Sequence, residues 1–404
     1  MGFRSLMPHL RPIYTPWVCA SLSVSILAVS LPLSILEHGR SYGSISVVMG
    51  AGGIGAALGA LRVGVLTDRW GPARVAAGAL TAIAAGCCLL GTTTIVALLA
   101  IAQLAIGRGV IGVMLSRQAV LTSTVSTDLR GRAMSLMGGS MRLSVLVGTA
   151  GGGVLYDFFG DRWTFVAAGV ISAIGIFAVL PELRQDRETT ASARGGWADL
   201  FHVFRQHRRR LVAGGMFGMF VMTAREGRMV VLPLVGVALD LSPAAIGGLV
   251  AVGYTADLVL FPVSGYVMDR FGRLAAMFPA YGLLAIGLGM LATADTATMA
   301  IVAGVLMGVG NGMSSGSLFT IGSDLAPEEG TASFLSGISV LTDMGRVVGP
   351  VLVGVTAKAF GLDVAAAVLA MVMVTGLVWL ALVLGETAGR QPGSRPPHGT
   401  PSVR

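Results

Sequence analysis

Charged residues make up only 12% of this 404-residue chain, and lysine occurs once, at Lys358. A soluble domain carries roughly 25% charge, so the scarcity excludes a water-facing globular fold. Cysteine is also rare: Cys19, Cys87 and Cys88 all sit inside apolar runs and two of them are adjacent, which leaves no disulfide framework and no metal-ligand spacing. None of the five histidines lies within an apolar core. The lone lysine belongs to no glycine-rich phosphate loop, so ATP-driven chemistry has no sequence support. Two GxGxxG patterns, at Gly50, Gly52 and Gly55 and at Gly107, Gly109 and Gly112, follow no strand and lie within apolar segments. An enzyme is not expected, and neither is a resident cofactor or metal.

What fills the chain instead is apolar sequence: 54% hydrophobic residues, a mean hydropathy of +0.80 and 58 glycines set within the apolar runs. Runs of about 20 residues match the thickness of a bilayer core. Twelve are read, at 15–36, 42–66, 73–92, 95–116, 133–157, 162–181, 211–237, 243–268, 273–293, 297–320, 332–358 and 362–385, and are numbered as spans one to twelve in chain order. Glycine inside such helices permits close packing, and Gly304, Gly308, Gly312 and Gly316 form an expected smooth face on span ten.

The chain repeats itself. GVLTDRWG, from Gly64 to Gly71, returns as GYVMDRFG, from Gly265 to Gly272, at an offset of 201 residues. The same offset carries Leu31-Pro32-Leu33 onto Leu232-Pro233-Leu234 and Gly148 onto Gly349. Half-chain duplication of apolar segments is a common plan for secondary transporters, whose substrate site lies between two related halves. The expected organisation is a bundle over 1–181, a linker over 182–210, a second bundle over 211–385 and a disordered tail over 386–404. In the linker, Trp197, Leu200, Phe201 and Phe204 fall at helical spacing and predict a short amphipathic helix on the membrane surface.

Nineteen arginines fall in the connections on one side, including Arg69, Arg74, Arg130, Arg132 and Arg208, whereas Arg40, Arg162 and Lys358 fall on the other. Cytoplasmic loops retain positive charge. Both termini are therefore expected in the cytoplasm, in an inner or plasma membrane. The net charge of +8 follows from this bias, and no nucleic-acid partner is implied.

Ionisable residues deep in lipid are costly and mark functional sites. Candidates are Arg108 in span four, Arg142 in five, Arg225, Glu226 and Arg228 in seven, Asp257 in eight, and Asp343 in eleven, with Asn311 in ten. Arg225 and Asp257 lie at similar depth and are expected to pair, while Arg346 and Arg62 are read as snorkelling toward the surface. Serines 21 and 25 of span one share a face and either line a cavity or bond their own backbone. The 201-residue offset sets Arg142 against Asp343, Ala56 against Asp257 and Ser25 against Glu226.

Gly64, Asp68, Arg69, Gly71 and Arg74 between spans two and three, and Gly265, Asp269, Arg270, Gly272 and Arg273 between spans eight and nine, resemble the loop motif of the major facilitator superfamily. Arg108 and Gly112 are similar to its fourth-span motif. Gly148, Gly152 and Gly153 resemble the fifth-span antiporter motif, with Thr149 in place of proline; the proline form stands in span eleven as Gly349 and Pro350. The resemblance is to the twelve-span drug and proton antiporter type. It implies an all-α fold of two pseudo-symmetric six-helix bundles that move small, often amphipathic molecules by alternating access, with the proton as coupling ion, working as a monomer. Asp68 would then latch the halves near the N-terminal end of span eleven, with Arg69 and Arg117 as partners. Import or facilitation of sugars, organic acids or other metabolites, and a non-transporting sensor, are the alternative readings.

Overall fold

A computed structural model describes residues 3–125, 127–184, 205–327 and 331–387. The linker helix expected around Trp197 and all but the first two residues of the expected tail lie outside these. The described chain is helical throughout. Spans one to four are the helices Phe3–Glu37, Tyr42–Trp70, Pro72–Leu90 and Val96–Thr124. Spans five and six lie within Thr127–Val179 and are divided at Gly160, which departs from helical geometry at φ 75°. The apolar part of this stretch alone is 47 residues long, about 70 Å as a straight helix. That is roughly twice a bilayer core of about 30 Å, so the chain must turn, and it does so at Gly160.

Span seven is Arg208–Ala238, span eight Pro243–Phe271, span nine Arg273–Leu291, span eleven Thr331–Phe360 and span twelve Leu362–Trp379, which ends in a π turn at Leu380–Leu384. Ten stretches are long and apolar enough to cross a membrane. Counting Gly160 as a turn and adding span seven, whose hydropathy is lowered by Arg225, Glu226 and Arg228, gives the twelve spans read from sequence.

Span ten departs from expectation. It is Ala297–Met313 followed, after a break, by Ser317–Leu325, with Gly316 in the left-handed region at φ 76°. Gly316 therefore does not extend the packing stripe. Gly312 does pack, since a methyl group there would come within 2.7 Å of the Asp257 carbonyl oxygen.

The duplication is physical as well as textual. Gly71 and Gly272, which end the two loop motifs, adopt nearly the same positive φ, 87° and 90°, a conformation open to glycine and strained for other residues. A methyl at Gly148 would press on the carbonyl of Leu22, and one at Gly349 on that of Thr223; Gly107 closes on Gly52 as Gly308 closes on Gly253. Each contact in the second half stands 201 residues beyond its twin. The GxGxxG patterns are thus helix-packing glycines: Gly52, Gly55 and Gly107 close spans two and four, Gly109 and Gly112 face span three, and Gly50 faces span eleven.

The two halves also meet at symmetric glycine seams. Gly153 of span five lies against Pro243 and Gly247 of span eight, and Gly354 of span eleven lies against Tyr42 and Ser46 of span two. Both seams are at the end opposite the arginine-rich loops. At the arginine-rich end, a methyl group on Gly64 or Gly265 would meet nothing within 4 Å, so these glycines make no close helix contact in this arrangement. The halves are shut at one end and parted at the other.

Two smaller anchors secure the arginine-rich end of each half. Arg117, fully buried, donates to Glu182 Oε2 (2.6 Å) and to the carbonyls of Pro72 (2.9 Å) and Pro12 (3.2 Å). It ties span four to spans one and three and to the start of the linker, rather than across the halves as expected. In the second half Glu386, expected in a disordered tail, accepts from the backbone amides of Arg273 and Leu274 at the start of span nine, and Thr387 donates to Asp324. A carboxylate at a helix N-terminus satisfies orphan amides, which is why order continues past the last span.

Substituting Gly308 with leucine is expected to cost about 1–3 kcal/mol through overpacking and to lower the thermal unfolding midpoint in detergent, whereas Gly64→Ala, placed in open space, leaves it unchanged. Equal midpoints for the two variants would contradict the packing described.

Candidate functional site

Asp257 sits at the middle of span eight, where only 1% of the residue is exposed. An ionised carboxylate so placed needs a counter-charge and full hydrogen bonding. Both are supplied. Arg142, from the other half, donates Nε to Asp257 Oδ1 at 3.1 Å, and Asn311 donates Nδ2 to Oδ2 at 2.7 Å. Arg142 also donates to the Ser315 hydroxyl at 2.6 Å and to the Gly138 carbonyl, and its guanidinium lies 4.4 Å over the Phe261 ring. The cation is thus clamped between its own helix, span eight and the break in span ten.

That break forms a polar hub. Ending the helix at Met313 frees hydroxyls and carbonyls that a continuous helix would hide. Arg225 donates to the Ser314 hydroxyl at 2.8 Å, Ser264 to the Ser315 carbonyl at 2.6 Å, and Tyr281 shares a 2.7 Å bond with Ser317. The expected pair of Arg225 with Asp257 is therefore not formed: Arg225 turns to the hub, and Arg142 takes the carboxylate because it approaches along the seam between spans five and eight. Arg228, buried, donates to the Met307 carbonyl at 3.0 Å and lies 5.3 Å over the Tyr254 ring. It is a helix tie within one half.

A cavity of about 200 Å³ lies between the halves, walled by spans one, two, four, seven and eleven. Its walls are aliphatic and thioether groups such as Leu27, Met49, Ile106 and Met229, with Gln103, Glu226 and Arg346 as the polar members. Pro350 lines it as well. Arg346 donates to Asp343 Oδ1 at 2.9 Å and stands 3.8 Å from Glu226 Oε1. The side chains of Arg346, Glu226 and Asp343 are each about a third exposed although all lie near mid-depth. Arg346, expected to snorkel toward the surface, is instead a wall of the cavity, held there by Asp343 one helical turn away.

Broken symmetry explains why the two seams differ. The position equivalent to Asp257 is Ala56, and the twin of Arg142 is the anion Asp343, which pairs with Arg346 of its own helix. One seam carries a buried bridge, the other a partly exposed charge cluster.

The remaining candidates are spread out. Arg108 stands half-buried beside Gly59 of span two. Gly148 and Gly152 pack span five on span one, at Leu22, Ser25 and Ile26, while Gly153 serves the seam and Gly349 packs on span seven. Span-one Ser25 and Ser30 bond backbone carbonyls of their own helix, Ser23 bonds both its own helix and the Ala168 carbonyl, and the cavity wall of that span is Val24, Leu27 and Ala28. Arg69, Arg74 and Arg270 are exposed at the arginine-rich end, and Arg273 donates to Asp324 at 3.1 Å. The side chains of Asp68 and Asp269 lie outside the described residues.

The Major Facilitator Superfamily profile matches residues 18–226 and 216–403, nearly the whole chain. The chain belongs to the major facilitator superfamily. Its fold is similar to that of the nucleoside transporter NupG, with a TM-score of 0.75 over 92% of this chain and 98% of that one at 13% identity. It is similar also to a bacterial homologue of the human lysosomal transporter Spinster in an inward-facing, unoccupied conformation, with a TM-score of 0.72, 16% identity and coverage of 95% and 96%. A triacylglyceride transporter of Mycobacteroides abscessus is 30% identical over 155 residues, 36% of this chain and 29% of that protein, so the chain matches less than a third of that relative's length. This protein is an integral membrane transporter of the superfamily and not an enzyme.

Removing one partner of a buried ion pair strands the other charge, at a cost of about 3–5 kcal/mol, and replacing both with apolar groups restores much of the loss. Arg142→Leu and Asp257→Leu are each expected to lower the unfolding midpoint strongly, and the double variant to recover most of it. Additive losses would mean that the two side chains do not act as a pair.

Proposed function

We propose that this transporter exports small amphipathic molecules in exchange for protons. The observation that carries the reading is the Arg142–Asp257 bridge, a buried carboxylate neutralised from the opposite half between spans five and eight. Ionised, Asp257 holds Arg142; protonated, it loses the Coulomb attraction and releases it. A proton taken up on one side thus changes the energy of one arrangement of the halves relative to the other, which is what coupling requires.

The arginine-rich face is the cytoplasmic one on this reading, by the positive-inside bias, and the present arrangement is inward-open. The cavity's aliphatic and methionine walls, with Glu226, Arg346 and Gln103 at one side, suit a molecule with a large apolar body and a polar end. The match to a triacylglyceride transporter supports an apolar element in the substrate. Arg108, Asp343 and Asn311 complete the set of groups proposed to orient substrate or relay the proton. When the arginine-rich ends close, Asp68 and its echo Asp269 serve as latches in the loop motifs, with Arg69 and Arg270 beside them. One polypeptide contains both halves of the site, so a monomer suffices.

In proteoliposomes, an imposed pH gradient is expected to drive transport of a lipophilic fluorescent dye, and Asp257→Asn to abolish the pH dependence while the protein remains folded. Flux indifferent to the gradient in the wild-type protein would remove proton exchange and favour a facilitator. Equal dye accumulation in cells with and without the protein would remove export.

A further inference from the structure

The seam between spans two and eleven carries a groove of about 480 Å³ on its flank, lined by Gly43, Ser46, Val47, Val351, Val355 and Lys358. Its valines are open to the surroundings, Val47 at 57% and Val355 at 58% exposure, and on membrane helices such a surface faces acyl chains. At its outer edge stands Lys358, exposed and in the last turn of span eleven. The ammonium has no ion-pair partner among the described residues, and its stem crosses the seam: a methyl on Gly43 would meet Lys358 Cδ at 3.1 Å. The symmetric seam has Asp157 and Ala244 at the equivalent positions. The cation, and the glycine that makes room for it, are therefore particular to one seam and not inherited from the repeat.

We propose that this groove binds an anionic phospholipid, one acyl chain along Val47, Val351 and Val355 and the phosphate on Lys358. Depth fits the assignment. Lys358 is two residues from the helix end, at headgroup level, and Val355 and Val351 lie about 5–10 Å deeper at ~1.5 Å per residue. The walls belong to different halves and are brought together by the Gly354 contact with Tyr42 and Ser46, so a bound lipid stabilises the arrangement in which this seam is closed. Compensation of the helix dipole by Lys358 would need no lipid at all.

The test compares the full-length protein in nanodiscs of phosphatidylcholine with and without phosphatidylglycerol of the same chains, read by native mass spectrometry and by thermal unfolding. Wild type is expected to retain phosphatidylglycerol over phosphatidylcholine by about fivefold, as for one cation near the membrane surface, and to gain stability from it. Lys358→Gln loses both effects while unfolding as wild type does in phosphatidylcholine, and Lys358→Arg keeps them. An undiminished preference in Lys358→Gln, or a stability loss equal in both lipids, would overturn the proposal.

Discussion

A carboxylate in the centre of a membrane protein must be neutralised, and Asp257 is neutralised by an arginine that belongs to the other half of the molecule. That constraint organises much else. Arg142 can reach Asp257 only if spans five and eight approach closely, and the glycine contact of Gly153 with Gly247 provides the approach. It can keep its remaining donors satisfied only if span ten is interrupted, and Gly316 interrupts it, presenting Ser315 to the guanidinium. Seam, ion pair and helix break form one mechanical unit in which each part explains the presence of the others.

The opposite flank solves a different problem. Position 56 of span two is alanine, and the charges of span eleven pair with one another and with Glu226. These side chains are partly exposed, and Glu226 and Arg346 line a cavity whose other walls are mostly apolar. In the proposed mechanism the buried bridge holds the halves together and the partly exposed cluster receives a ligand. Duplication supplied the frame, and divergence at a few positions divided the labour.

Much of this was legible in the amino-acid pattern. Hydropathy placed the spans, since the bilayer imposes length on every helix, and the 201-residue offset relates contacts such as Gly107 on Gly52 and Gly308 on Gly253. Depth also singled out Arg142, Asp257, Glu226 and Asp343. Partnership was not legible, because which arginine reaches Asp257 depends on helix rotation and on the direction of approach. The same limit hid Arg346 as a cavity wall and Arg117 as a tie to Glu182. The break in span ten was written as Ser314-Ser315-Gly316-Ser317 within an apolar run, and the regular glycine spacing masked it.

In the proposed mechanism, protonation of Asp257 releases the halves from the present arrangement. Spin labels at Leu136 and Tyr266, exposed positions toward the arginine-rich ends of spans five and eight, report that directly by pulsed dipolar distance measurement, with the native cysteines replaced. Acidification is expected to deplete the long distance of the parted state, and Asp257→Asn to fix the acid-like distribution at every pH. A distribution that ignores pH in the unsubstituted protein, or responds equally in Asp257→Asn, would contradict the account.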